Sequence, residues 1–444
     1  MKSNISKVLA LVLCLMLTFS IAACGGGGSG SGTSPSNTPK PAGTPGTSGE
    51  PVTLKFWNIW GSGDANTVAV NKVISDFQND YPNIKIEVEF FENEGYKTMI
   101  KTTFSGDEAP DVFSSWGAGF SRPFVEAGKI LKLNDYLNDG TLEKLNGGAL
   151  NYFDFDGSIY GLTFGKSASG FFVNSEAFTA SGVTPPKTWD ELLTSCEALK
   201  DNGYIPIITS MKERWVVGML FEGIVTKAVG ADVSNKTLNK QEGGSFSNPK
   251  YLDAINRLGE LISKGYINSD AAAISRDEAL ASFRNGDAGL YYMGAWEGSA
   301  LEAEDSAISG NVDWIPFPTI PGGNGKATEF NGGSIDGLMI SAKSQHPDEA
   351  ATFVKYFCEN LSREGYQNGN YMPAWNTSVI DESLLPAVFT KITEATKSAT
   401  DYVIWWDTFL DGDDVTIYQD ALDKFVNNSM TADQFVTELK KIQP

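Results

Sequence analysis

Ten tryptophans stand in this chain of 444 residues, and several sit beside glycine where strand-like runs end. Trp60 precedes Gly61, Trp116 precedes Gly117, and Trp296 follows Gly294-Ala295. Trp215 ends the polar run Met211-Lys212-Glu213-Arg214, and Trp405-Trp406 form a pair ahead of Asp407. An indole held in a loop is a flat apolar plate. With Asp, Asn, Arg or Lys beside it, the pair suits a ring that has C–H faces and hydroxyl edges, such as a pyranose. Trp60, Trp116, Trp215, Trp296 and the Trp405-Trp406 pair are therefore the candidate plates, with the inward member of the pair left open. Trp57 and Trp189 are expected in the core. The candidate hydrogen-bonding groups are Asn58, Ser167, Arg214, Glu297, Asn331 with Gly332, and Asp407. Lys166 and Ser169 join them through a loop rich in glycine and serine.

Chemistry on covalent bonds has little to work with. His346 is the only histidine, in Ser344-Gln345-His346-Pro347, so Ser-His-Asp catalysis and multi-histidine metal sites are improbable. No P-loop is present. Asp135–Asn146 and Asp407–Tyr418 place glycine as a calcium loop would, but Leu137 and Phe409 stand where ligands belong and the terminal glutamate is missing. No spacing singles out a carboxylate pair for glycoside hydrolysis. The expectation is a binding protein without metal or cofactor. A binder of quaternary amines, which aromatic cages also hold, and a secreted glycoside-active enzyme are the alternatives.

The elements that must position these residues read as α/β. Val52–Asn58 alternates as a strand, Val68, Val73, Ile74 and Phe77 mark a helix, and Ile84–Phe90 alternates again. Tyr96–Phe104 is helical, and Ala109–Phe113 is a third strand leading to Trp116. Strand, helix, strand, helix, strand with short connections predicts a parallel sheet, and ligands gather at the carboxyl ends of such strands. Trp57, Asn58, Trp60 and Trp116 fall there. Leu133–Leu145 reads as a polar helical region and Asn235–Gly244 as a polar insertion. Phe171-Phe172-Val173 predicts a short buried strand after the loosened Gly165–Gly170. Thr188/Glu191, Ser275/Glu278 and Thr431/Gln434 each predict a capping box opening a helix.

Aspartate and glutamate total 55 against 34 lysines and arginines, for a net charge of −21. Such a surface disfavours nucleic acid and anionic membranes as partners. Lys2 and Lys7 precede the apolar run Val8–Phe19, and Ile21-Ala22-Ala23 precedes Cys24. This resembles a lipobox: residues 1–23 are expected as a cleaved signal peptide, Cys24 as lipidated, and 24–50 as a Gly/Ser/Pro/Thr leash. The membrane is then reached only through the lipid anchor. Cys196 and Cys358 lie in helical patterns and are expected as buried free thiols.

Three runs carry a family likeness. They are Phe124–Leu131, Tyr160–Leu193 with its Pro185-Pro186-Lys187-Thr188-Trp189-Asp190-Glu191-Leu192, and Phe283–Trp296. Together they resemble the extracellular solute-binding proteins of ABC importers, in the carbohydrate-binding branch that includes maltose-binding protein. The likeness spans nearly all of residues 52–442. Val173-Asn174 stands where the family usually has Tyr-Asn. The resemblance implies a two-lobed periplasmic-binding-protein-like fold with interleaved lobes, 51–165 plus 331–370 and 166–330 plus 375–444, joined by a hinge. It also implies a monomer, outside the cell, that closes around a carbohydrate and meets a membrane permease. By the same likeness Trp116, Trp296 and one of Trp405/Trp406 occupy ligand-facing positions.

Overall fold

Alternate side chains of Val52–Asn58 (β1) point into the protein and out of it, and that alternation orders the first sheet. In the computed structural model, which describes residues 50–61, 64–106, 109–376 and 380–444, β1 is followed by Thr67–Asp80 (α1) and Ile84–Phe90 (β2). Asn93–Gly106 (α2), Val112–Trp116 (β3) and Arg122–Glu126 (α3) come next. The expected signal peptide, Cys24 and almost all of the leash lie outside the described residues. Both β2 and β3 pair with β1 in parallel, as the alternation of strand and helix predicts. A small hairpin, Asp154–Phe155 (β4) with Ser158–Ile159 (β5), precedes Gly161–Thr163 (β6).

The chain then leaves the first sheet through Gly165–Asn174 (β7), a strand buried along nearly its whole length. Ser175–Ala180 (α4), Trp189–Asp201 (α5) and Ile205–Ile208 (β8) follow, then Arg214–Val229 (α6) and Ala231–Leu238 (α7). Next come Pro249–Ser263 (α8), Arg276–Arg284 (α9), Ala288–Gly294 (β9), Gly298–Leu301 (α10) and Val312–Ile315 (β10). Glu329–Gly333 (β11) still belongs to the second sheet, whereas Asp336–Ile340 (β12) is back in the first. Pro347–Gln367 (α11) covers the first sheet. Met372–Pro373 (β13), Ala387–Lys397 (α12), Asp401–Val403 (β14), Trp406–Phe409 (α13), Gly412–Val426 (α14) and Ala432–Leu439 (α15) complete the chain. The first sheet runs β2-β1-β3-β12-β6; the second runs β14-β11-β7-β9-β8, with β10 and β13 also on β7.

One hydrophobic cluster holds the first sheet to α1 and α11, with Leu54, Phe56, Phe353 and Trp375 among its members. A larger one runs through the second sheet and reaches Phe113 and Trp116. All three expected capping boxes are formed. Cys196 and Cys358 are free and buried.

Three expectations fail for visible reasons. The Gly165–Gly170 stretch is strand rather than loop, because neighbouring strands of the same chain pair with it and press against it where no side chain would fit. A Cβ on Gly170 would lie 2.2 Å from the Trp314 ring, and one on Gly165 2.7 Å from Tyr371. Leu133–Leu145 forms two short 3-10 turns, Asn134–Tyr136 and Leu142–Lys144, split by Gly140 at φ +90°. The first part of Asn235–Gly244 is the end of helix α7, which buries Ala231, Ser234, Thr237 and Leu238, so a stretch of polar composition is helical because its small residues pack inward.

Candidate functional site: a tryptophan-lined cavity

The carboxyl ends of β1 and β3 point at a cavity of about 1030 Å³ whose walls come from both sheets. Trp60 follows β1 and Trp116 ends β3. Trp215 is the second residue of α6, Trp296 lies in a 3-10 turn after β9, and Trp405 sits just before α13. All five line the cavity, as does Asp407. On the second wall the indoles touch. Trp296 lies 5.4 Å from Trp405 at 71° and 6.5 Å from Trp215 at 47°, centroid to centroid. On the first wall Trp116 rests edge-on against Phe120 at 4.9 Å, and Trp60 against Phe164 at 5.3 Å.

The adjacent pair divides. Trp405 faces the cavity, while Trp406 has no exposed surface and packs against Tyr418 at 4.9 Å and Phe246 at 5.4 Å. Trp189 is core, as expected; Trp57 is partly buried against Phe91.

Most of the polar residues picked from the sequence stand one layer behind the surface. The Asn58 side-chain oxygen accepts from the Trp60 backbone N–H at 2.8 Å, and the Ser169 hydroxyl accepts from the Trp405 indole N–H at 3.0 Å. Glu297 accepts from Arg276 at 2.7 Å. These three hold lining residues instead of lining the cavity themselves. Asn331 donates to the Val403 carbonyl at 2.9 Å, Gly332 pairs with Ala168 in the sheet, and Ser167 is buried beside it. The Lys166 ammonium lies 4.1 Å from the Tyr402 ring centroid. Arg214 turns away altogether, to Asp420 at 2.7 Å and Asp423 at 3.8 Å, because α14 packs on α6 and brings those carboxylates to it.

Other lining residues carry no signal singled out in the sequence. Asp64 and Asn66 follow Trp60 in the same loop, and Asp336 opens β12 opposite Trp116. Lys97 on α2 reaches Asp407 at 2.9 Å and Glu94 at 3.1 Å, with its ammonium 5.2 Å from the Trp116 ring centroid. Asp64 and Asn66 were findable by the strand-end argument that found Trp60. Lys97 was not, since its partner lies 310 residues on.

Burial works against the Lys97 charge, but Asp407 and Glu94 outweigh it and hold the ammonium above its usual range. Burial pushes Asp336 up to about 7, helped by the charge of Asp407 and opposed by the Trp116 indole and Lys97. Behind the second wall, burial pushes Glu222 up to about 8; Asp407 adds to this, and the Tyr418 hydroxyl, 2.9 Å away, opposes it. Carboxylates outnumber cationic side chains around the cavity. Among the described residues no group of three or more His, Cys, Asp or Glu is placed to hold a metal ion.

Comparison with known proteins agrees with this architecture. The family model for the bacterial extracellular solute-binding protein matches residues 62–360. An uncharacterized ABC transporter extracellular-binding protein of Pyrococcus horikoshii is 26% identical over 359 residues, covering 79% of each chain. The multiple sugar-binding protein of Streptococcus mutans is 25% identical over 325 residues, covering 72% of this chain and 74% of that one. A solved structure from work on xylan utilization by Caldanaerobius polysaccharolyticus superposes with a TM-score of 0.84 at 33% identity, over 88% of this chain and 99% of that one. A chitin oligosaccharide binding protein superposes with a TM-score of 0.80 at 26% identity, over 89% and 98%. The two-sheet fold, the cavity between the sheets and the match over residues 62–360 lead to one assignment: the chain belongs to the bacterial extracellular solute-binding protein family.

Proposed function

We propose that this protein captures a carbohydrate outside the cell and delivers it to the permease of an ABC importer. The observation that carries the reading is the convergence of Trp60, Trp116, Trp215, Trp296 and Trp405 on one cavity from two sheets. Plates on both sides suit the two faces of a sugar ring, and Asp64, Asp336, Lys97, Arg276 and Asp407 between them suit its hydroxyls. The sugar-binding names of the relatives support the same ligand class.

In this reading the lobes are 51–165 with 334–370 and 166–333 with 375–444, and the hinge lies where β6 runs into β7 and β11 into β12. The expected boundary at 331 moves past β11 because that strand pairs with β7 and β14. A sugar touches both walls only when the lobes close, so its better fit to the closed form drives closure. Asn58, Ser169 and Glu297 act by holding Trp60, Trp405 and Arg276. The closed monomer docks on the permease, and the other importer subunits supply the energy; this chain neither hydrolyses ATP nor alters the sugar, and needs no cofactor. Lipid on Cys24, after loss of residues 1–23, and the 24–50 leash keep it at the extracellular face of the membrane. The carboxylate excess around the indoles favours a second reading, a quaternary amine held by cation–π attraction.

A thermal-shift screen with mono- and oligosaccharides, betaine, choline and short peptides, followed by product analysis, tests this. Ligand at a hundred times its Kd adds about 2.7 kcal/mol, a shift on the order of a few degrees. Stabilisation by a sugar recovered intact is the expected outcome. Stabilisation by amines alone replaces the ligand, and cleavage of the sugar replaces binding by hydrolysis.

A further inference from the structure

Strand order sets out the first wall as a row. From the edge inward the sheet runs β2, β1, β3, β12, and at the cavity end these carry Phe90, Trp60 just beyond Asn58, Trp116 and Asp336. Neighbouring strands lie about 4.8 Å apart, so the row is about 14 Å long. On the second wall Arg276, Leu280 and Arg284 line the cavity at i, i+4 and i+8 of α9. Eight residues of helix span about 12 Å. Both walls are longer than one sugar ring.

Phe90 ends that row. On one face of β2, Ile84 and Ile86 are buried, Val88 is 40% exposed and Phe90, which alone of the four lines the cavity, is 58% exposed. Its ring leans on Gly61, where a Cβ would come within 2.6 Å of it. An apolar ring more than half in water at the rim of a cavity lined by indoles can take the C–H face of a sugar ring. We propose that the ligand is an oligosaccharide laid across the strand ends, and that Phe90 stacks under the ring farthest from Asp336. The inference rests on carbohydrate capture and adds to it a chain-length preference and the residue that sets it. Gly61 lacks a side chain so that the Phe90 ring keeps its place at the rim.

The test is calorimetry on the purified full-length protein with xylo-, chito- and malto-oligosaccharide ladders, from monosaccharide to hexasaccharide. Affinity is expected to climb with length in one ladder. Phe90→Ala should weaken its longest members about tenfold and leave the shortest within about twofold. Phe90→Trp should restore the long ligands, and Gly61→Ala, by displacing the ring, should copy the Phe90→Ala pattern. Because Phe90 is exposed, its replacement leaves the core untouched. An equal loss at every length, no loss at any length, or a monosaccharide bound as tightly as the longest member overturns this inference and leaves carbohydrate capture standing. Binding of no sugar at all overturns both.

Discussion

Trp60 and Trp116 reach the cavity from the ends of parallel strands, whereas Trp215, Trp296 and Trp405 reach it from a helix start, a 3-10 turn and an extended residue before a helix. Each first-wall indole rests on its own set of rings, Trp60 on Phe164 and Phe357 and Trp116 on Phe120 and Tyr96, and is spaced from the next by the sheet. The second-wall indoles rest on one another, with Trp296 in the middle and Ser169 fixing Trp405. A sheet delivers side chains at intervals set by backbone hydrogen bonds, so its positions are independent. A cluster of loop-borne rings is positioned by mutual packing, so its members are coupled. The same side chain is thus expected to respond differently to substitution on the two walls.

The largest effect separates the adjacent pair. Trp406→Ala should cost about 3–5 kcal/mol of stability in denaturant unfolding, since its ring is fully enclosed. Trp405→Ala, whose ring is 6% exposed and bonded to Ser169, should also cost stability but, unlike Trp406→Ala, should lower the ligand affinity of the folded protein about tenfold; equal affinity losses in the two variants would show the division of the pair to be wrong. Next comes coupling. Trp296→Ala should cost about 2–3 kcal/mol of sugar affinity by calorimetry, as the centre of the cluster. A double-mutant cycle with Trp215→Ala should show an interaction of about 0.5–1.5 kcal/mol, whereas the cycle of Trp296→Ala with Trp60→Ala should be additive within about 0.5 kcal/mol. Equal coupling in both cycles would erase the contrast between walls.

Each wall also has a buried carboxyl. Asp336 on the first and Glu222 behind the second are both raised above their unfolded values, to about 7 and about 8. The folded protein then holds protons that the unfolded chain has released, so each contribution is complete below the unfolded pKa and is lost as pH rises through the folded one. Ligand-free stability should therefore rise from pH 8 towards pH 5, by about 1.4 kcal/mol per pH unit for each carboxyl while it is protonated only in the folded state. Asp336→Asn should remove the part that ends near pH 7, and Glu222→Gln the part that ends near pH 8. A slope unchanged by both variants would place the proton uptake elsewhere. The smallest effect is on Arg214. Its ion pairs to Asp420 and Asp423 are 40–46% exposed, so Arg214→Ala should change stability by less than about 1 kcal/mol and sugar affinity by less than about twofold. A tenfold affinity loss would return it to the binding surface.

What the sequence determined by itself is local or periodic. Thr188, Ser275 and Thr431 cap helices because each partner lies three residues away, and no distant contact can easily overrule that geometry. The parallel arrangement of β1, β2 and β3 follows from strand–helix alternation, and that in turn places Trp60 and Trp116 at one edge. The tertiary structure decided everything that depends on which distant surfaces meet. Trp405 and Trp406 are chemically identical neighbours, and it is the packing of Phe221, Phe246, Tyr251 and Tyr418 on Trp406, and of Trp296 on Trp405, that tells them apart. Asn58, Ser169 and Glu297 were legible as polar groups near the site, but their partners turned them into supports. Arg214 found the Asp420 carboxylate 206 residues away, and Lys97 found Asp407 across 310. A side chain's role is set by its nearest charge or ring in space, and sequence spacing predicts that neighbour only within a turn of helix or along a strand.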